Sequence, residues 1–468
     1  MGDKPKLTNS VVNGYALSNG INMIAQTVPL TYLNMFMTDY LGISPVALGT
    51  GMLIAKTVDF IVSIFAGMII EKTNMKHGKY LSWIRLLTVT LFFGNVIQML
   101  DTTAFVSSPT IRLIIVMIFY MMFHCSMDFL VTSRAAIIPK LAGSNMEDRK
   151  KLTARQSQVG AAVSIIGSAT ILPIVSFVQS LTGSDSMGYF VAALLFSAIF
   201  VVVNLIFVKQ AAPFDPPAAA NAPVKQSPTA KQMLNSVVSN KQMLILFSGF
   251  VCFTIGSQIY AGALTYFFRV NGIFGSYTLA QTLRAICAFG ASMVAPALGR
   301  KFGKKGALMT GWIVYAIGTA TIWMFGLNSD GSANLIVVII AMCMCQSAQY
   351  TYSAFNANYY LDCGEYGYAT TGIDNRTMAV TVMNWPTKIG FALGGSLIGY
   401  VLAWAGYIAP VDGGTGTFQY VNRFMTALGL IPAVCMITGA LIVLLFYKLT
   451  DEQAAQYAKQ NAERERAQ

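Results

Sequence analysis

Two carboxylates stand out because they lie inside long apolar stretches of the sequence. Of the 19 acidic residues, only Asp59 and Asp128 are placed in this way. In a membrane-spanning stretch, a charged group costs about 2.5 kcal/mol or more and normally faces a water-filled pathway. Lys56, Asp59 and Ser63 are spaced i, i+3 and i+7, so they share one helix face. We expect Asp59 to bind a proton or cation beside Ser63, with Lys56 and Lys388 as charge partners; a static buried ion pair is the alternative.

Polar side chains form two further stripes at helical spacing. The first stripe consists of Tyr15, Asn19, Asn22 and Gln26. The second consists of Gln346, Gln349, Ser353, Asn356 and Tyr360. Amides both donate and accept hydrogen bonds, which suits the hydroxyls of a sugar. The alternative is hydrogen bonding between helices, which is common in membrane bundles.

Aromatic and histidine side chains supply the remaining candidates for ligand binding. Tyr120, His124 and Asp128 are spaced i, i+4 and i+8, which suits a proton relay or substrate contact, although such a histidine is as often a packing residue. Trp385 can offer an aromatic face to a sugar ring or can pack in the core. Tyr266 and the two phenylalanines that follow it are candidates for the wall or gate of a binding site.

Four cations lie inside or near the apolar stretches, against the two carboxylates. They are Lys56, Arg134, Arg284 and Lys388. Arg134 can be solvated at the end of its stretch, and Arg284 can extend its head group towards the surface. If both arginines face a cavity instead, the surplus of positive charge favours an anionic ligand such as a uronide.

The composition indicates a membrane protein with many spans. Of 468 residues, 55% are apolar and 11% are charged, whereas soluble domains carry about 25% charged residues. Stretches of about 20 apolar residues are long enough to span a bilayer. The sequence predicts twelve spans, near 12–40, 45–71, 80–100, 110–139, 153–181, 187–208, 242–268, 276–299, 306–327, 333–361, 378–407 and 418–447. The net charge of +12 is not a nucleic-acid signature, because the basic residues fall in short runs between spans.

Basic residues predict the orientation, because positively charged short loops stay in the cytoplasm. Lysines and arginines concentrate in alternate connections, and Arg269 is the only one in the opposite set. Both termini are therefore expected in the cytoplasm, and the protein is expected to lie in the plasma membrane. The stretch 209–241 is rich in proline and alanine and too polar to span, so it predicts a linker. The expected domains are 1–208 and 242–447, six helices each, with the linker between them and a cytoplasmic tail at 448–468.

The two halves also resemble each other. A short basic turn with glycine, 71–79, follows the second predicted helix, and a similar turn, 299–305, follows the eighth. Two six-helix halves related by an axis along the membrane normal describe the major-facilitator architecture, with substrate bound between them. The predicted fold class is therefore an all-α membrane protein of this architecture.

The chain resembles the glycoside-pentoside-hexuronide:cation symporters, the group of the melibiose permease. In the first half the resemblance lies in Phe36-Met-Thr-Asp-Tyr-Leu-Gly42, Lys56-x-x-Asp59 and Gly78-Lys-Tyr-x-x-Trp83. In the second half it lies in Tyr266-Phe-Phe, Gly303-Lys-Lys305, Asp362-Cys-Gly-Glu-Tyr-Gly367 with Gly372 and Arg376, Lys388-Ile-Gly-Phe-Ala-Leu-Gly394 and Gly406-Tyr407. These motifs extend over nearly the whole chain, and their order and spacing are more specific than any one of them.

The resemblance implies roles for several residues and departs from the family at others. It implies that Asp59 is one of two acidic residues that bind the coupling cation, but Ser63 stands at the second position. This departure favours proton coupling or uncoupled movement over the usual sodium coupling. The family's first-helix carboxylate is also missing near Asn22, and its fourth-helix carboxylate matches Asp128 or Val131. Melibiose is therefore not the expected substrate.

The resemblance also covers a charged segment of the second half. It implies a gating role for Asp362, Glu365 and Arg376, which match the family's cytoplasmic loop. Lys388 matches the family's eleventh-helix lysine, which supports pairing it with Asp59.

The expected function is import of a sugar, glycoside or hexuronide by proton- or sodium-coupled symport. Carriage of a lipid or amphiphile is an alternative, since the family's animal relatives include a lysolipid transporter, and a non-transporting sensor of a small solute is another. No enzymatic activity is expected, because no nucleophile with a base and no phosphate loop is found. The seven cysteines show no metal-ligand spacing, so neither a bound metal nor a cofactor beyond the coupling ion is expected. The expected partners are the substrate and the bilayer, and the chain is expected to be a monomer.

Overall fold

The computed structural model describes residues 6–73, 75, 78–143, 146–216, 230–372, 379, 382–410 and 415–467. Almost all of the described chain is helical. The helices are α1 (Asn9–Asp39), α2 (Pro45–Lys72), α3 (Lys79–Ile97), α4 (Pro109–Ala142), α5 (Met146–Thr182), α6 (Asp185–Ala211), α7 (Ala230–Ser239), α8 (Lys241–Val270), α9 (Phe274–Phe325), α10 (Leu335–Ser353), α11 (Asn356–Thr371), α12 (Trp385–Trp404), α13 (Val421–Phe446) and α14 (Asp451–Ala467). Helix α13 contains a π-helical turn at Thr426–Leu430, and two short strands, β1 (Tyr407–Ile408) and β2 (Thr417–Phe418), pair antiparallel before it.

Polar residues at the helix ends explain where several helices begin and stop. The side chains of Thr8 and Ser44 accept hydrogen bonds from the first turns of α1 and α2, and Asn240 does the same for α8. Such side chains satisfy backbone N–H groups that have no partner inside the helix. Helix α11 ends at Gly372, whose φ of 73° is left-handed and whose N–H bonds to the carbonyl of Tyr368.

Helix α9 is too long to be a single span. It has 52 residues, which is about 78 Å of helix, whereas the apolar core of a bilayer is about 30 Å thick. Gly303 interrupts it with φ 70° and ψ 168°, between the predicted spans 276–299 and 306–327. Every predicted span overlaps an observed helix, and ten helices in the described chain are long and apolar enough to cross a membrane. The count of twelve spans stays a prediction.

The structure differs from the prediction in one expected loop and in one expected helix. The charged stretch that begins at Asp362 was expected to be a loop, but it belongs to α11 as far as Thr371, because no glycine with a left-handed backbone occurs before Gly372. The polar stripe expected to run continuously through Ser353 is broken instead, since α10 ends there and α11 begins at Asn356. The tail also forms a helix, α14.

The tail helix begins at a capping box. The N–H of Gln453 donates to the hydroxyl of Thr450 and the N–H of Thr450 donates to the Gln453 side chain, both at 3.2 Å. This reciprocal pair satisfies two donors at the start of α14.

The chain divides into two compact units. The first contains Met1–Ser227 and Ala409–Gly414, and the second contains Pro228–Ile408 and Thr415–Gln468. In the first unit α1 packs against α5 and α6, α2 packs against α4, and α3 packs against α4 and α6. In the second unit α8 packs against α12 and α13, α9 packs against α10, and α11 packs against the tail helix α14.

Large apolar side chains cover much of the outside of the helices. Ile54 and Ile61 of α2 are 59% and 49% exposed, and Leu444 to Phe446 of α13 are more than half exposed. A soluble monomer rarely exposes so continuous an apolar surface, whereas lipid solvates it. The protein is therefore a multi-pass membrane protein.

Candidate functional site

The carboxylate of Asp59 lies on α2 within a cluster of polar groups in the first unit. Asp59, Lys56 and Ser63 are partly buried on one face of the helix, as predicted from their spacing. Asp59 interacts electrostatically with Lys56 and with Tyr120 of the neighbouring helix α4. The hydroxyl of Ser63 donates to the carbonyl of Phe60 at 2.7 Å, so its oxygen keeps a lone pair for a ligand but no charge.

The predicted stripe on α1 separates into residues of different environment. Tyr15 is 3% exposed and packs edge-on against Phe207 of α6, and Asn22 is 4% exposed with its amide directed at the sulfur of Met127. Gln26 is partly buried, and its amide makes no hydrogen bond within the described residues and is not among their enclosed polar atoms. Gln26 is therefore the member of the stripe that is most available to a ligand.

A buried arginine forms the polar centre of the first unit. Arg134 of α4 is 5% exposed, so the expectation that it can be solvated at the end of its span is wrong. Its guanidinium donates to Asn19 at 3.1 Å, to the hydroxyl of Ser18 at 2.6 Å and to Asn204 of α6 at 3.0 Å. Asn204 also donates to Thr88 of α3 at 2.5 Å. This network connects four helices, and all the acceptors of the arginine are neutral.

His124 and Asp128 lie one turn apart on α4, both partly buried. The imidazole of His124 packs against the rings of Tyr120 and Phe123, with centroid distances of 4.1 and 5.3 Å. Tyr120 connects this pair of residues electrostatically to Asp59. Tyr120 thus lies between two predicted residues, Asp59 of α2 and His124 of α4.

Arg284 is the corresponding internal cation of the second unit. It is partly buried on the first half of α9, and its Nε donates to Gln346 of α10 at 2.5 Å. One terminal nitrogen donates to Gln281 at 3.0 Å, and Gln281 in turn donates to the hydroxyl of Tyr277 at 3.0 Å. Two predicted binding residues, Arg284 and Gln346, are thus in direct contact. Gln349, one turn after Gln346, is partly buried, and its amide makes no hydrogen bond in the described chain.

The other predicted residues of the second unit lie at separate places. Tyr266 of α8 is fully buried, and its ring packs edge-on against Tyr407 at 5.0 Å. Trp385, 8% exposed, is the first residue of α12, and Lys388 is partly buried one turn later. Asp59 and Lys388 belong to different units, so their pairing stays a prediction.

Two of the residues predicted to gate, Asp362 and Glu365, lie on α11 and contact α9 and the tail helix. Asp362 forms an ion pair with Lys304, and the carboxylate of Glu365 accepts a hydrogen bond from Asn461 of α14 at 2.6 Å. Arg376 lies outside the described residues. The sequence analysis did not anticipate the contact between Glu365 and the tail helix.

Two acidic residues that the sequence analysis missed hold the basic turns of the two halves. In the first unit, Asp215 accepts from the N–H groups of Tyr80 and Leu81 at 2.7 and 2.9 Å and pairs with Lys140. In the second unit, Asp451 accepts from the N–H of Lys304 at 3.0 Å. Asp215 follows α6 and Asp451 follows α13, and each carboxylate binds the backbone just after a glycine with positive φ, Gly78 before α3 and Gly303 within α9. The sequence feature that could have revealed these contacts is an aspartate soon after the sixth predicted span, which ends at 208, and another soon after the twelfth, which ends at 447.

Comparison with known protein families agrees with the observed bundle of apolar helices. The family model described as MFS/sugar transport protein matches residues 14–451. The chain belongs to this family. Members are transporters rather than enzymes, and the match also supports the resemblance to glycoside-pentoside-hexuronide:cation symporters. Within the described chain, no group of three or more histidine, cysteine, aspartate or glutamate residues could hold a metal ion.

Curated relatives and solved structures agree with the family. The isoprimeverose transporter of Lactiplantibacillus pentosus is 24% identical over 445 residues, covering 93% of this chain and 88% of the relative. The glucuronide carrier protein homolog of Escherichia coli strain K12 is 22% identical over 455 residues, covering 96% and 94%. The crystal structure of the nucleoside transporter NupG superposes with a TM-score of 0.64 at 16% identity, covering 95% of this chain and all of NupG. This structural similarity supports the fold.

Proposed function

We propose that the protein is a secondary active transporter that imports a sugar or glycoside together with a proton or sodium ion. In this proposal twelve spans form two six-helix bundles, both termini are cytoplasmic, and the substrate has alternating access to the two sides of the membrane. Membership of the sugar-transport family and the names of the two relatives support the substrate class. Coupling requires that the empty and the doubly loaded carrier reorient while the half-loaded carrier does not.

The observation that carries the proposal is the placement of Asp59. Its carboxylate is partly buried near the middle of α2, next to Lys56 and with an electrostatic link to Tyr120. A carboxylate at such a depth is retained at a cost of about 2.5 kcal/mol or more, which indicates a role in the pathway of a solute or ion. Protonation or cation binding at Asp59 changes the charge of the α2 face, and this change can couple to reorientation.

The amount of work available from coupling can be estimated. Carrying one positive charge inward yields about 2.3 kcal/mol per 100 mV of membrane potential. Since 1.4 kcal/mol corresponds to a factor of ten, this supports roughly forty-fold accumulation of the substrate. An assay in proteoliposomes therefore has a wide range over which to distinguish accumulation from equilibration.

The test compares accumulation with exchange in the Asp59→Asn variant. Proteoliposomes would be assayed with a panel of labelled methyl glycosides under imposed proton or sodium gradients and a membrane potential. We expect Asp59→Asn to lose accumulation above equilibrium while it keeps exchange of substrate down its gradient, because the amide cannot carry the coupling charge.

Asp330→Asn is the matched control variant. Asp330 lies in the connection between α9 and α10, where hydrogen bonds from the hydroxyl and the N–H of Ser332 lower the pKa of its carboxyl, so it stays ionised at neutral pH. This variant should accumulate substrate like the parent. Accumulation by Asp59→Asn at the parental level would remove Asp59 from the mechanism, and binding without flux by the parent would support a sensor instead.

A further inference from the structure

Arg284 is a membrane-embedded cation whose charge no described carboxylate balances. Its two hydrogen bonds go to the neutral amides of Gln346 and Gln281. The sequence explains this, because the segment 241–361 contains a single acidic residue, Asp330, which lies in a connection between helices. An ionised side chain at this depth normally pairs with another group or marks a substrate pathway.

The helix face that carries Arg284 is turned away from lipid. Tyr277, two turns before Arg284 on that face, and Ala288, one turn after it, are 2% and 5% exposed. Leu279, Ile286 and Met293, which lie on the opposite face of the helix, are 54%, 50% and 69% exposed. The guanidinium therefore does not reach the lipid side of α9 and does not gain water there.

One end of the guanidinium is left available. Nη2 donates no hydrogen bond to a described residue, and it is not among the enclosed polar atoms that have no partner. A guanidinium nitrogen whose donors are unused, and whose charge no described carboxylate neutralises, can bind oxygen atoms that carry negative charge.

Arg134 in the first unit is an internal arginine in which neither terminal nitrogen is available to a ligand. It is 5% exposed, and its terminal nitrogens donate to Asn19, to Ser18 and to Asn204. Both terminal nitrogens are used inside the helix bundle and Nε is enclosed, which fits a role in packing. Arg284 differs because Gln281 and Gln346 hold only part of its guanidinium and fix its direction.

We propose that Arg284 binds the anionic group of the transported substrate, so that the preferred substrate is a sugar acid, carrying a carboxylate or sulfonate, rather than a neutral sugar. The inference rests on the proposed transport function. Gln281 and Gln346 hold the guanidinium in place. An anionic substrate balances the charge that the fold leaves unbalanced, whereas a neutral sugar does not.

The probes are methyl β-D-glucuronide, methyl β-D-glucoside and methyl β-D-xyloside, which share a ring and differ at the substituent on C5. Binding to the purified full-length protein and flux in proteoliposomes would be measured for each. A charge-assisted hydrogen bond predicts a preference for the glucuronide of about tenfold to hundredfold. Arg284→Gln should abolish this preference, because a neutral amide cannot make a charge-assisted hydrogen bond to the carboxylate.

Two more variants separate recognition from folding. Gln346→Glu nearly keeps the size of the side chain but places a carboxylate against Nε of Arg284, where it competes with the substrate's anion. This variant should reduce the preference for the glucuronide over the glucoside at least about tenfold. Arg423→Gln is the control, because Arg423 is exposed and stacks over the ring of Tyr420 at 4.1 Å, so the preference should be unchanged.

The outcomes distinguish this inference from the function on which it rests. Transport of the glucoside with no preference for the glucuronide would overturn the anion assignment and leave sugar transport in place. A preference that survives in both Arg284→Gln and Gln346→Glu would overturn the role of Arg284. Failure of all three probes to bind and to move would overturn the proposed function together with this inference.

Discussion

Removing the carboxylate of Asp215 should destabilise the first unit far more than removing its counterpart, Asp451, destabilises the second. The Asp215 side chain is fully buried, accepts two backbone hydrogen bonds at the start of α3 and pairs with Lys140. The Asp451 side chain is 47% exposed and accepts one backbone hydrogen bond, from Lys304. The two sites therefore form a matched pair inside one chain.

The expected magnitude follows from these contacts. Loss of a helix cap costs about 0.5–2 kcal/mol, and loss of a negative charge at a helix N-terminus costs about 0.3–1 kcal/mol more. Leaving a buried N–H without a partner adds about 1–3 kcal/mol, while Lys140, which is 35% exposed, can turn to water. We expect Asp215→Ala to cost about 2–4 kcal/mol, and Asp451→Ala no more than about 1 kcal/mol, because exposed charges contribute little.

Two measurements on purified protein would check this prediction. Thermal denaturation followed by circular dichroism should show a drop of roughly 4–16 °C for Asp215→Ala, by the scaling of about 2–4 °C per kcal/mol for domains of this size. Hydrogen exchange should accelerate at the N–H groups of Tyr80 and Leu81 in this variant. Equal shifts in the two variants, with unchanged exchange at the start of α3, would refute the reasoning.

Two further predictions follow from the same contacts. Gly78→Ala should destabilise the protein more than Gly303→Ala in thermal denaturation, although both glycines have positive φ. A Cβ at Gly78 would lie 2.1 Å from the backbone oxygen of Asp215, whereas a Cβ at Gly303 would lie 3.0 Å from a side-chain oxygen of Asp451, which can move. Equal losses of stability in the two variants would contradict this prediction. Asn204→Ala should cost about 2 kcal/mol or more in the same assay, because it removes one buried hydrogen-bond partner from each of Arg134, Thr88 and Ser18. Ser248→Ala, which removes an exposed hydroxyl bonded only within its own helix, should cost less than about 0.5 kcal/mol. An Asn204→Ala variant as stable as the parent would show that the network does not hold the helices together.

The apolar spans could be predicted from the sequence because their signal is local. A run of about 20 apolar residues identifies a spanning helix whatever packs around it, and Gly303 marked the break inside α9 through its basic turn. The helices α11 and α14 could not be predicted in the same way, since their polar sequences resemble loops until their partners are known. Asn461 and Glu365, which hold them together, are 96 residues apart.

The polar contacts depend on distant residues, and this limited the prediction of the site. Asp215 lies 135 residues from the Tyr80 N–H that it binds, and Arg134 lies 116 residues from Ser18. Spacing along one helix placed Lys56, Asp59 and Ser63 on a common face, which is confirmed. It could not show that Arg134 is buried by partners on two other helices, because hydrogen bonding between helices leaves no periodic pattern.

Hydrogen-bond accounting separates the polar residues that build the bundle from those that are available to a solute. Asn95 and Asn204 are buried, and each is bonded to neighbouring helices, so a substrate could reach them only by breaking the fold. Gln26 and Gln349 make no hydrogen bonds within the described chain, and one end of Arg284 is likewise unused. A transporter must bind its substrate and then release it, which favours groups whose alternative partner is water rather than protein. The residues with unused donors and acceptors are therefore the ones at which substitutions should change selectivity before they change stability.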